Sequence, residues 1–334
     1  MANCHTVFTD FNSIIRLNES KRKSLKKSRT SLRKKIRKYF AENKSEEIKP
    51  KFSSQGSFAV ETIIEPIPRE VEENGESKTK LYYDIDDGIY FIGKEDDRKS
   101  VETYHKWIKD AVDGHTETPP QDKNTCVRVL FADGHNIDLP IYFKEGDVPE
   151  LAHKSKGFID SDPQAFQEWF DERVYGKPQL RRLVRYIKAW QDYRLFTRKD
   201  KKMPSGFILT ILICEEYYAN DRDDIAFKET LIKIKARLDR EFECYRPTIS
   251  KDENLLTKFE AHKEYFLECL DNLIDSAKQA LAEKNQKKSC EHWQKHFGDR
   301  FPCKNAQDKD DDVGESASLA AVASSSRMWA KTSN

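Results

Sequence analysis

Two aspartates two positions apart, Asp84 and Asp86, have the spacing in this chain that most directly indicates chemistry. Residues 81 to 87 have the composition of a β-strand, on which side chains two positions apart point to the same face. Two carboxylates held close together repel each other unless a cation lies between them, and a divalent cation commonly fills that role. The pair therefore predicts a metal site on a strand.

Upstream of these acids, Gly56 and Ser57 predict a phosphate-binding turn that follows Gln55. The backbone N–H groups and the hydroxyl of such a turn are the groups with which proteins grip phosphate. We expect residues 51 to 90 to form a hairpin that carries both the turn and the acids, with a solvated polar turn over residues 70 to 80 at its tip. A phosphate grip beside paired carboxylates is typical of a nucleotidyl-transfer site.

A third carboxylate, Asp138, is predicted on a neighbouring strand. Residues 125–131 and 136–143 are rich in β-forming residues and flank Asp133-Gly134, which is a strong hairpin signal. Core-like apolar residues alternate with polar ones in the second run, so Asp138 falls on the face that a catalytic strand can share. Carboxylates from two strands can hold two Mg²⁺ ions, with Mn²⁺ as a substitute, which activate an attacking hydroxyl and neutralise the departing pyrophosphate.

The alternative is that the acid-rich motif is only a polar turn and that Asp138 is a solvated strand residue, because short motifs often match by chance. The combination of the turn, the spacing and the third acid favours the metal site.

Three blocks of this sequence resemble the active-site blocks of the bacterial cGAS/DncV-like nucleotidyltransferases, or CD-NTases, and especially their DncV-like branch. These blocks are Gln55-Gly56-Ser57-Phe58, Asp84-Ile85-Asp86-Asp87-Gly88-Ile89-Tyr90 and Ile137-Asp138-Leu139-Pro140-Ile141-Tyr142. Shorter matches occur at Thr125-Cys126-Val127-Arg128, Asp160-Ser161-Asp162-Pro163, Trp169-Phe170, Lys188-Ala189-Trp190 and, more faintly, Phe297-Gly298-Asp299-Arg300. Apart from this last match, the resemblance covers residues from about 50 to 210.

The resemblance implies a template-independent enzyme of bacterial antiphage (CBASS) signalling. Such an enzyme joins ATP, with GTP or pyrimidine nucleotides as further substrates, into a cyclic di- or oligonucleotide. It implies no obligatory nucleic acid and no membrane. The choice of bases, the ring size and the linkage are left open by these residues. A linear nucleotidyltransferase of the oligoadenylate, tailing or small-molecule type would share the same acids, and a non-enzymatic nucleotide-binding regulator is the other alternative.

The resemblance also implies contacts to nucleotides beyond the Gln55-Gly56-Ser57 turn. These contacts are at Arg128, Ser161, Lys188 and Ser205. Each has a plainer alternative: an arginine that pairs with an acid on its strand, an exposed lysine, and serines that only begin helices.

The expected fold is α+β, with a polymerase-β-like nucleotidyltransferase lobe of mixed β-sheet packed on a C-terminal helical lobe and a long N-terminal helix bracing both. We expect the brace over residues 1–50, the catalytic lobe over 51–150, the helical lobe over 151–303 and a disordered tail over 304–334. Apolar periodicity predicts helices over residues 100–112, 178–193, 207–218, 224–242 and 255–281. The tail is either inert or a handle for a defence-operon partner of the ubiquitin-transfer-like kind.

A strongly basic segment lies inside the predicted brace. Residues 21 to 38 contain eleven Lys or Arg residues and no acid, with Leu25, Leu32, Ile36 and Tyr39 at helical spacing. One interpretation is a nucleic-acid or membrane-binding helix. We favour the other, a helix that packs its apolar stripe on the enzyme and leaves its lysines in water.

Composition places further bounds on the protein. The 334 residues are 35% charged, the mean hydropathy is −0.83 and the net charge is only +1, so no global field would draw the chain onto DNA. We expect a cytoplasmic protein, since no apolar run approaches a membrane span and the N-terminus lacks the apolar core of a signal peptide. An odd number of cysteines, seven, favours reduced thiols over a disulfide framework.

One cluster near the C-terminus has the residue types of a zinc site: Cys290, His292, His296 and Cys303. Its spacing is not that of a common zinc finger, and Trp293, Phe297 and Phe301 among them are typical of helix packing. We therefore favour packing over zinc.

Overall fold

A mixed β-sheet forms the centre of the N-terminal lobe in the computed structural model, which describes residues 1–73, 75–308 and 310. Its strands alternate apolar residues that enter the core with polar residues, as the sequence predicts. The strands are β1 (Lys51–Gln55), β2 (Arg69–Glu73), β3 (Glu76–Lys80), β4 (Tyr83–Ile92), β5 (Gln121–Asp122), β6 (Cys126–Leu130), β7 (His135–Lys144), β8 (Pro149–His153) and β9 (Gly157–Asp160).

The order of strands in the sheet is β1-β4-β7-β6-β5, with β8 paired to β7 and β9 paired to β8. β4 and β7 are parallel neighbours, whereas the other pairs of this sheet are antiparallel. The β6–β7 pairing confirms the hairpin predicted around Asp133-Gly134. The sheet continues to Asp160, past the boundary expected at residue 150.

The tip of the first hairpin differs from the prediction. Residues 70 to 80 were expected to be a solvated turn, but β2 and β3 pair with each other as a separate antiparallel ribbon. Both segments consist mostly of charged residues around Val71 and Thr79, so they show no apolar alternation from which a strand could be predicted.

The helices confirm the predicted segments, with shifts of up to four residues at most ends. The exception is the segment predicted from residue 255, where the α-helix begins only at Lys263, after a 3₁₀ segment over Thr257–His262. Ser100 caps α4 by accepting a hydrogen bond from the backbone N–H of Thr103, which explains why that helix begins where it was expected. The helices are α1 (His5–Ile15), α2 (Glu19–Asn43), α3 (Gly56–Ala59), α4 (Val101–Val112), α5 (Pro163–Val174), α6 (Pro178–Thr197), α7 (Gly206–Glu215), α8 (Asp223–Arg240), α9 (Lys263–Ala282) and α10 (Gln286–Phe297).

Two helices, rather than one, connect the N-terminal segment to both lobes. α1 buries its apolar face, including Phe8 and Phe11, in the core of the helical lobe. α2 places Leu32, Ile36 and Phe40 against the sheet, and Leu25 near α3. Three residues of the predicted stripe, Leu25, Leu32 and Ile36, are therefore buried, as the packing interpretation requires, whereas Tyr39 is only partly buried and Phe40 takes the fourth buried position. Trp190 and Trp293 are also fully buried in the helical core.

The arrangement of the C-terminal cysteines corrects one expectation, that the cysteines are reduced thiols. Cys290 and Cys303 form a disulfide, so the cysteines of the chain are not all reduced thiols. His296 instead bonds Ser276, with its Nε2 2.8 Å from Ser276 Oγ. The disulfide takes up two of the four side chains of the zinc alternative, and Trp293, Phe297 and Phe301 pack in the helical core, as the favoured interpretation predicts.

The beginning of the expected disordered tail has a definite structure. Residues Cys303–Asn305 form a 3₁₀ turn, and Asn285 donates a hydrogen bond to Asp308 at 3.2 Å. The remainder of the predicted tail, residues 309 and 311–334, lies outside the described residues. Among the residues that are described, no helix is both long and apolar enough to cross a membrane.

Candidate active site

The parallel pairing of β4 and β7 brings the three predicted carboxylates together. Asp86 lies opposite Asp138 in the register of these strands, and Asp84 lies opposite Asn136. Because each strand repeats every two residues, Asp84, Asp86 and Asp138 share one face of the sheet. The side chain of Asp84 is 46% exposed, whereas that of Asp138 is 13% exposed. The acids thus span the edge between solvent and protein.

The guanidinium of Arg128 forms ion pairs with two of these acids, Asp138 and Asp84. Arg128 lies opposite Asp138 across the β6–β7 pair. Its Nε and Nη2 donate to the two carboxylate oxygens of Asp138 at 2.6 and 2.7 Å, and Nη2 also donates to Asp84 Oδ2 at 3.2 Å. These contacts raise the pKa of Arg128 above its usual value, since its hydrogen bonds to Asp138 favour the charged form. Arg128 therefore pairs with acids, which was the alternative to a nucleotide contact in the sequence analysis.

Asp86 is the acid whose protonation the site changes most. Burial, together with the negative charges of Asp138 and Asp84, raises the pKa of Asp86 to about 6. Gly56 explains how the turn can lie so close to it. A Cβ at Gly56 would fall 2.1 Å from Asp86 Oδ2, and its φ of +64° lies in the region that favours glycine. The glycine turn and the central acid are consequently in direct apposition.

Gln55 has a different environment from the one predicted. Its amide donates to Tyr90 Oη at 2.5 Å and accepts a hydrogen bond from Tyr142 Oη at 3.2 Å. The two tyrosine rings stack with centroids 4.7 Å apart. The side chain of Gln55 is therefore committed to the interior of the sheet, which leaves Gly56 and Ser57 as the groups of this turn that are available to a phosphate.

A cleft of about 620 Å³ adjoins these residues. It lies between the sheet and the helical lobe, and seven of the predicted site residues line it: Gln55, Gly56, Ser57, Asp84, Asp86, Ser161 and Lys188. Asp138 and Arg128 do not line the cleft. They lie on β7 and β6, which follow β4, the strand of Asp84 and Asp86, in the order of the sheet. The volume is suited to a ligand of nucleotide size.

Lys188 reaches this cleft from α6. Its Nζ donates to Thr62 Oγ1 at 2.9 Å. Burial and, to a smaller extent, the nearby Arg185 together lower the pKa of Lys188 to about 8. One turn before it, Arg185 donates to the carbonyl of Glu61 at 2.7 and 3.1 Å. Two basic residues of the helical lobe thus hold the segment that follows the glycine turn.

The predicted serines fall in different places. Ser161 lines the cleft, and the next residue, Asp162, caps α5 by accepting from the backbone N–H groups of Gln164 and Ala165. Ser205 does not join the acids. It caps α7 and lines a separate cleft with Glu253 and Lys258, whereas its neighbour Gly206 lines the main one. The hydroxyl of Ser205 accepts a hydrogen bond from the backbone N–H of Ile208 at 3.4 Å, as in the helix-cap alternative, and its contact with a nucleotide stays a prediction.

Three groups of the site were not predicted from the sequence. Asn136 donates to Asp84 Oδ1 at 3.0 Å, and its spacing of two from Asp138 was a usable signal. Thr62, the partner of Lys188, and Asp192, another residue of the cleft wall, carry no such local signal. The aromatic side chains of Phe166 and Phe207, with ring centroids 4.6 Å apart, also line the cleft.

The donor set fits a hard divalent cation in type. Carboxylate oxygens are the ligands that Mg²⁺ and Mn²⁺ prefer, and the mutual repulsion of Asp84, Asp86 and Asp138 shows an excess of negative charge at one point. The present arrangement is nevertheless closed by Arg128. In the described residues no set of three or more such side chains is arranged to hold a metal ion.

The sequence and the fold of this chain are similar to those of known proteins. Residues 50–142 match the family model for the nucleotidyltransferase domain of "cyclic GMP-AMP synthase DncV-like" proteins. Over this segment the chain is therefore similar to the nucleotidyltransferase domain of DncV-like enzymes. The fold is α+β, with a polymerase-β-like nucleotidyltransferase lobe.

A curated protein is also similar to part of this chain. A cyclic GMP-AMP synthase from Escherichia albertii is 30% identical over 198 residues, a segment that covers 57% of this chain and 42% of that protein. The alignment thus spans less than half of the relative's length.

Solved structures agree in fold over almost the whole chain. The Vibrio cholerae DncV cyclic AMP-GMP synthase in complex with nonhydrolysable GTP has a TM-score of 0.73 and 18% identity, covering 90% of this chain and 97% of that one. The same enzyme in complex with the linear intermediate 5′ pppA(3′,5′)pG has a TM-score of 0.71 and 18% identity, covering 90% and 96%. Escherichia coli DncV bound to 3′-deoxy GTP has a TM-score of 0.71 and 18% identity, covering 89% and 96%.

Proposed function

We propose that this chain is a divalent-metal-dependent, template-independent nucleotidyltransferase that joins nucleoside triphosphates into a cyclic di- or oligonucleotide and releases pyrophosphate. ATP is the expected substrate, with GTP or a pyrimidine nucleotide as its partner. The observation that carries the proposal is the register that sets Asp86 opposite Asp138 on parallel strands, with Gly56 in contact range of Asp86.

The chain's own residues supply binding and orientation. Ser57 and the backbone of Gly56 would hold the terminal phosphates, and the ammonium of Lys188 would add a positive charge on the opposite wall of the cleft. Asp84, Asp86 and Asp138 would hold Mg²⁺ or Mn²⁺, which lowers the pKa of a ribose hydroxyl and offsets the charge on the leaving pyrophosphate. Asp138 is proposed to lie nearest the attacking hydroxyl. The ribose oxygen bonds to the α-phosphorus of another nucleotide while the bond to its β-phosphate breaks, so each phosphodiester formed releases one pyrophosphate. The ring-closing transfer within the linear product likewise releases the pyrophosphate of its remaining 5′-triphosphate.

Arg128 must leave at least one of these acids when a metal ion is held there. Its guanidinium occupies both oxygens of Asp138. A triphosphate is the natural second partner for it, because guanidinium groups bind phosphate and carboxylate in the same bidentate manner.

The experiment is product analysis with the purified full chain. The four nucleoside triphosphates, with α-³²P label, are incubated with Mg²⁺ or Mn²⁺, treated with phosphatase and analysed by mass spectrometry. We expect a phosphatase-resistant product of cyclic mass. A phosphatase-sensitive product would instead indicate a linear transferase, and no pyrophosphate release with any mixture would overturn the proposal.

Substitution of the acids provides the matched control. Asp84→Asn with Asp86→Asn should reduce incorporation by about 10³-fold or more, since metal-bound charge stabilisation contributes several kcal/mol to such transfers. Asp110→Asn, on the exposed side of α4, should leave incorporation unchanged. Full activity of the double variant would show that the metal assignment is wrong.

The proposed place of this chemistry is the cytoplasm of a bacterium, where nucleoside triphosphates are available, and its proposed role is antiphage defence. That role rests on the resemblance of the active-site blocks. Cells that express the wild-type chain with its neighbouring genes should resist phage, and cells with the Asp84→Asn, Asp86→Asn chain should not.

A further inference from the structure

The side chain of Arg300 connects three parts of the molecule beside the cleft. Its Nη1 donates to the carbonyl of Glu65 at 3.1 Å and lies 3.0 Å from Asp192 Oδ2. Its Nη2 donates to the carbonyl of Ala189 at 3.1 Å. One guanidinium therefore connects Glu65, in the segment that follows the glycine turn, to Ala189 and Asp192 on α6.

Asp192 is the part of this connection that faces the cleft. It lies one turn after Lys188 on α6 and lines the cleft together with Ile64 and Pro66. It also accepts a hydrogen bond from the backbone N–H of Ile67 at 2.8 Å. We call Ile64, Pro66 and Asp192 the cleft wall.

An ion pair between Arg300 and Asp192 fixes the α6 side of the cleft wall. The side chains of Arg300 and Asp192 are only 18% and 13% exposed. Burial lowers the pKa of Arg300 and raises the pKa of Asp192, and each partner opposes the shift of the other. A buried ion pair of this kind contributes little net stability compared with apolar packing, so its value lies in the geometry it fixes.

Local backbone structure places Arg300 there. Gly298 has a φ of +68°, and a Cβ at that position would lie 2.6 Å from Tyr193 Cε2, so only glycine allows the chain to pass this close to α6. The flanking Phe297 and Phe301 are fully buried in the helical core. The segment that carries Arg300 is thus fixed on both sides.

We infer that Arg300 is a positioning residue for nucleotide binding, which sets the cleft wall at a fixed distance from Lys188. Arg300 does not line the cleft, so it acts through Asp192 and the segment at 65–67. The inference rests on the proposed function for its substrate, a nucleoside triphosphate, and adds a residue that the acids and the glycine turn do not include.

The test compares Arg300→Gln, Arg300→Lys and Asp192→Asn with the wild-type full chain. Equilibrium binding of ATP and steady-state pyrophosphate release are measured, each well below the melting temperature of the variant. Arg300→Gln should raise the Kd and the KM for ATP about tenfold with a much smaller change in kcat, because misplacing a binding wall removes ground-state and transition-state binding alike. Arg300→Lys should recover part of the loss.

A coupling measurement separates positioning from general destabilisation. The double variant combines Arg300→Gln with Asp192→Asn. If Arg300 acts through Asp192, this double variant should bind ATP no more weakly than Arg300→Gln alone. Asp299→Asn, the exposed neighbour, is the matched control and should behave as the wild type.

Unchanged ATP affinity in both Arg300→Gln and Asp192→Asn would overturn the inference, as would a loss of kcat that follows the unfolded fraction while KM stays constant. If the wild type binds ATP but releases no pyrophosphate, the proposed function fails, whereas the Kd series still decides the role of Arg300.

Discussion

Arg128 holds both carboxylate oxygens of Asp138, at 2.6 and 2.7 Å, from the directly opposite position on the adjacent antiparallel strand. The pair lies at the centre of the proposed metal site, and the same guanidinium reaches Asp84. A positive side chain therefore occupies the place where the acids would hold a divalent ion. Neutralisation by Arg128 explains how three carboxylates can be kept together in the folded chain.

The first prediction concerns competition between Arg128 and a metal ion. Arg128→Gln should bind Mn²⁺ more tightly than the wild type in the absence of nucleotide, by about tenfold or more, because a unit positive charge a few ångströms away repels the ion. Titration of Mn²⁺ followed by its electron paramagnetic resonance signal measures this affinity. Arg198→Gln, which is exposed and distant, serves as the control, and equal or weaker Mn²⁺ binding by Arg128→Gln would show that the arginine does not occupy the metal position.

The second prediction concerns the stability cost of Asp86. Its surroundings raise its pKa from 3.8 to about 6, so above that pH the folded state carries a carboxylate whose ionised form it disfavours. Without metal or nucleotide, Asp86→Asn should be about 1–2 kcal/mol more stable than the wild type at neutral pH, a figure reduced because the group is partly exposed.

The sign of that effect follows from proton uptake. As the pH falls from about 6 towards 3.8, the folded wild type takes up a proton before the unfolded chain does, so the advantage of Asp86→Asn should shrink. Thermal unfolding in a chelator across this range is the measurement. A variant less stable than the wild type at neutral pH would contradict the expected repulsion.

The third prediction concerns Lys188 and pH. Its pKa of about 8 means that the ammonium is lost as the pH rises through that value. The kcat/KM for ATP should therefore fall on the alkaline side, since this ratio reports groups of the free enzyme. Lys188→Gln should lack that alkaline limb and show kcat/KM about ten- to a hundredfold lower, as expected for a lost charged hydrogen bond.

The exposed Lys199→Gln provides the control for this profile. An alkaline limb that persists unchanged in Lys188→Gln would assign the titration to another group.

The fourth prediction concerns the connection between α2 and the catalytic strand. The carboxylate of Asp87 is fully buried, and Arg33 Nε donates to its Oδ2 at 2.7 Å while Nη2 of the same arginine bonds Oδ1. Arg33→Gln should destabilise the fold by about 3–5 kcal/mol, because it leaves a buried charge without its partner. Urea unfolding measures the change.

Removing the charge at the other end tests the cause. Adding Asp87→Asn to Arg33→Gln should recover much of the lost stability, since the uncompensated carboxylate is then absent. If the double variant is as unstable as the sum of the single variants, the two residues are not coupled.

Asp87 illustrates what short-range patterns can and cannot show. It stands beside Asp86 in the motif, yet the alternation of β4 turns it to the other face, where it binds α2 instead of the cleft. Strand periodicity alone predicted that Asp84 and Asp86 would share a face and that Asp138 would be available to a neighbour. No local signal indicated that an arginine fifty-four positions earlier would bind Asp87.

Helices with long apolar stripes were predictable for a similar reason. The segment from Ser100 to Val112 contains its own cap and its own buried face, so its structure follows from nearby residues. The ribbon of β2 and β3 lacks such a face, and it was expected to be a turn. Ser205 was assigned to the nucleotide site, but a difference of one residue placed Gly206 in that cleft instead.

The sequence by itself determined the kinds of groups available and their local order: acids two apart, a glycine turn before them, a third acid on a later strand, and a helical second half. Only the tertiary structure decided which groups meet. The parallel register of β4 and β7 set Asp86 opposite Asp138, and the packing of the lobes brought Lys188 to Thr62 and Arg300 to Asp192. Local structure follows from neighbouring residues, whereas these contacts join residues far apart in the chain and depend on how the buried faces pack.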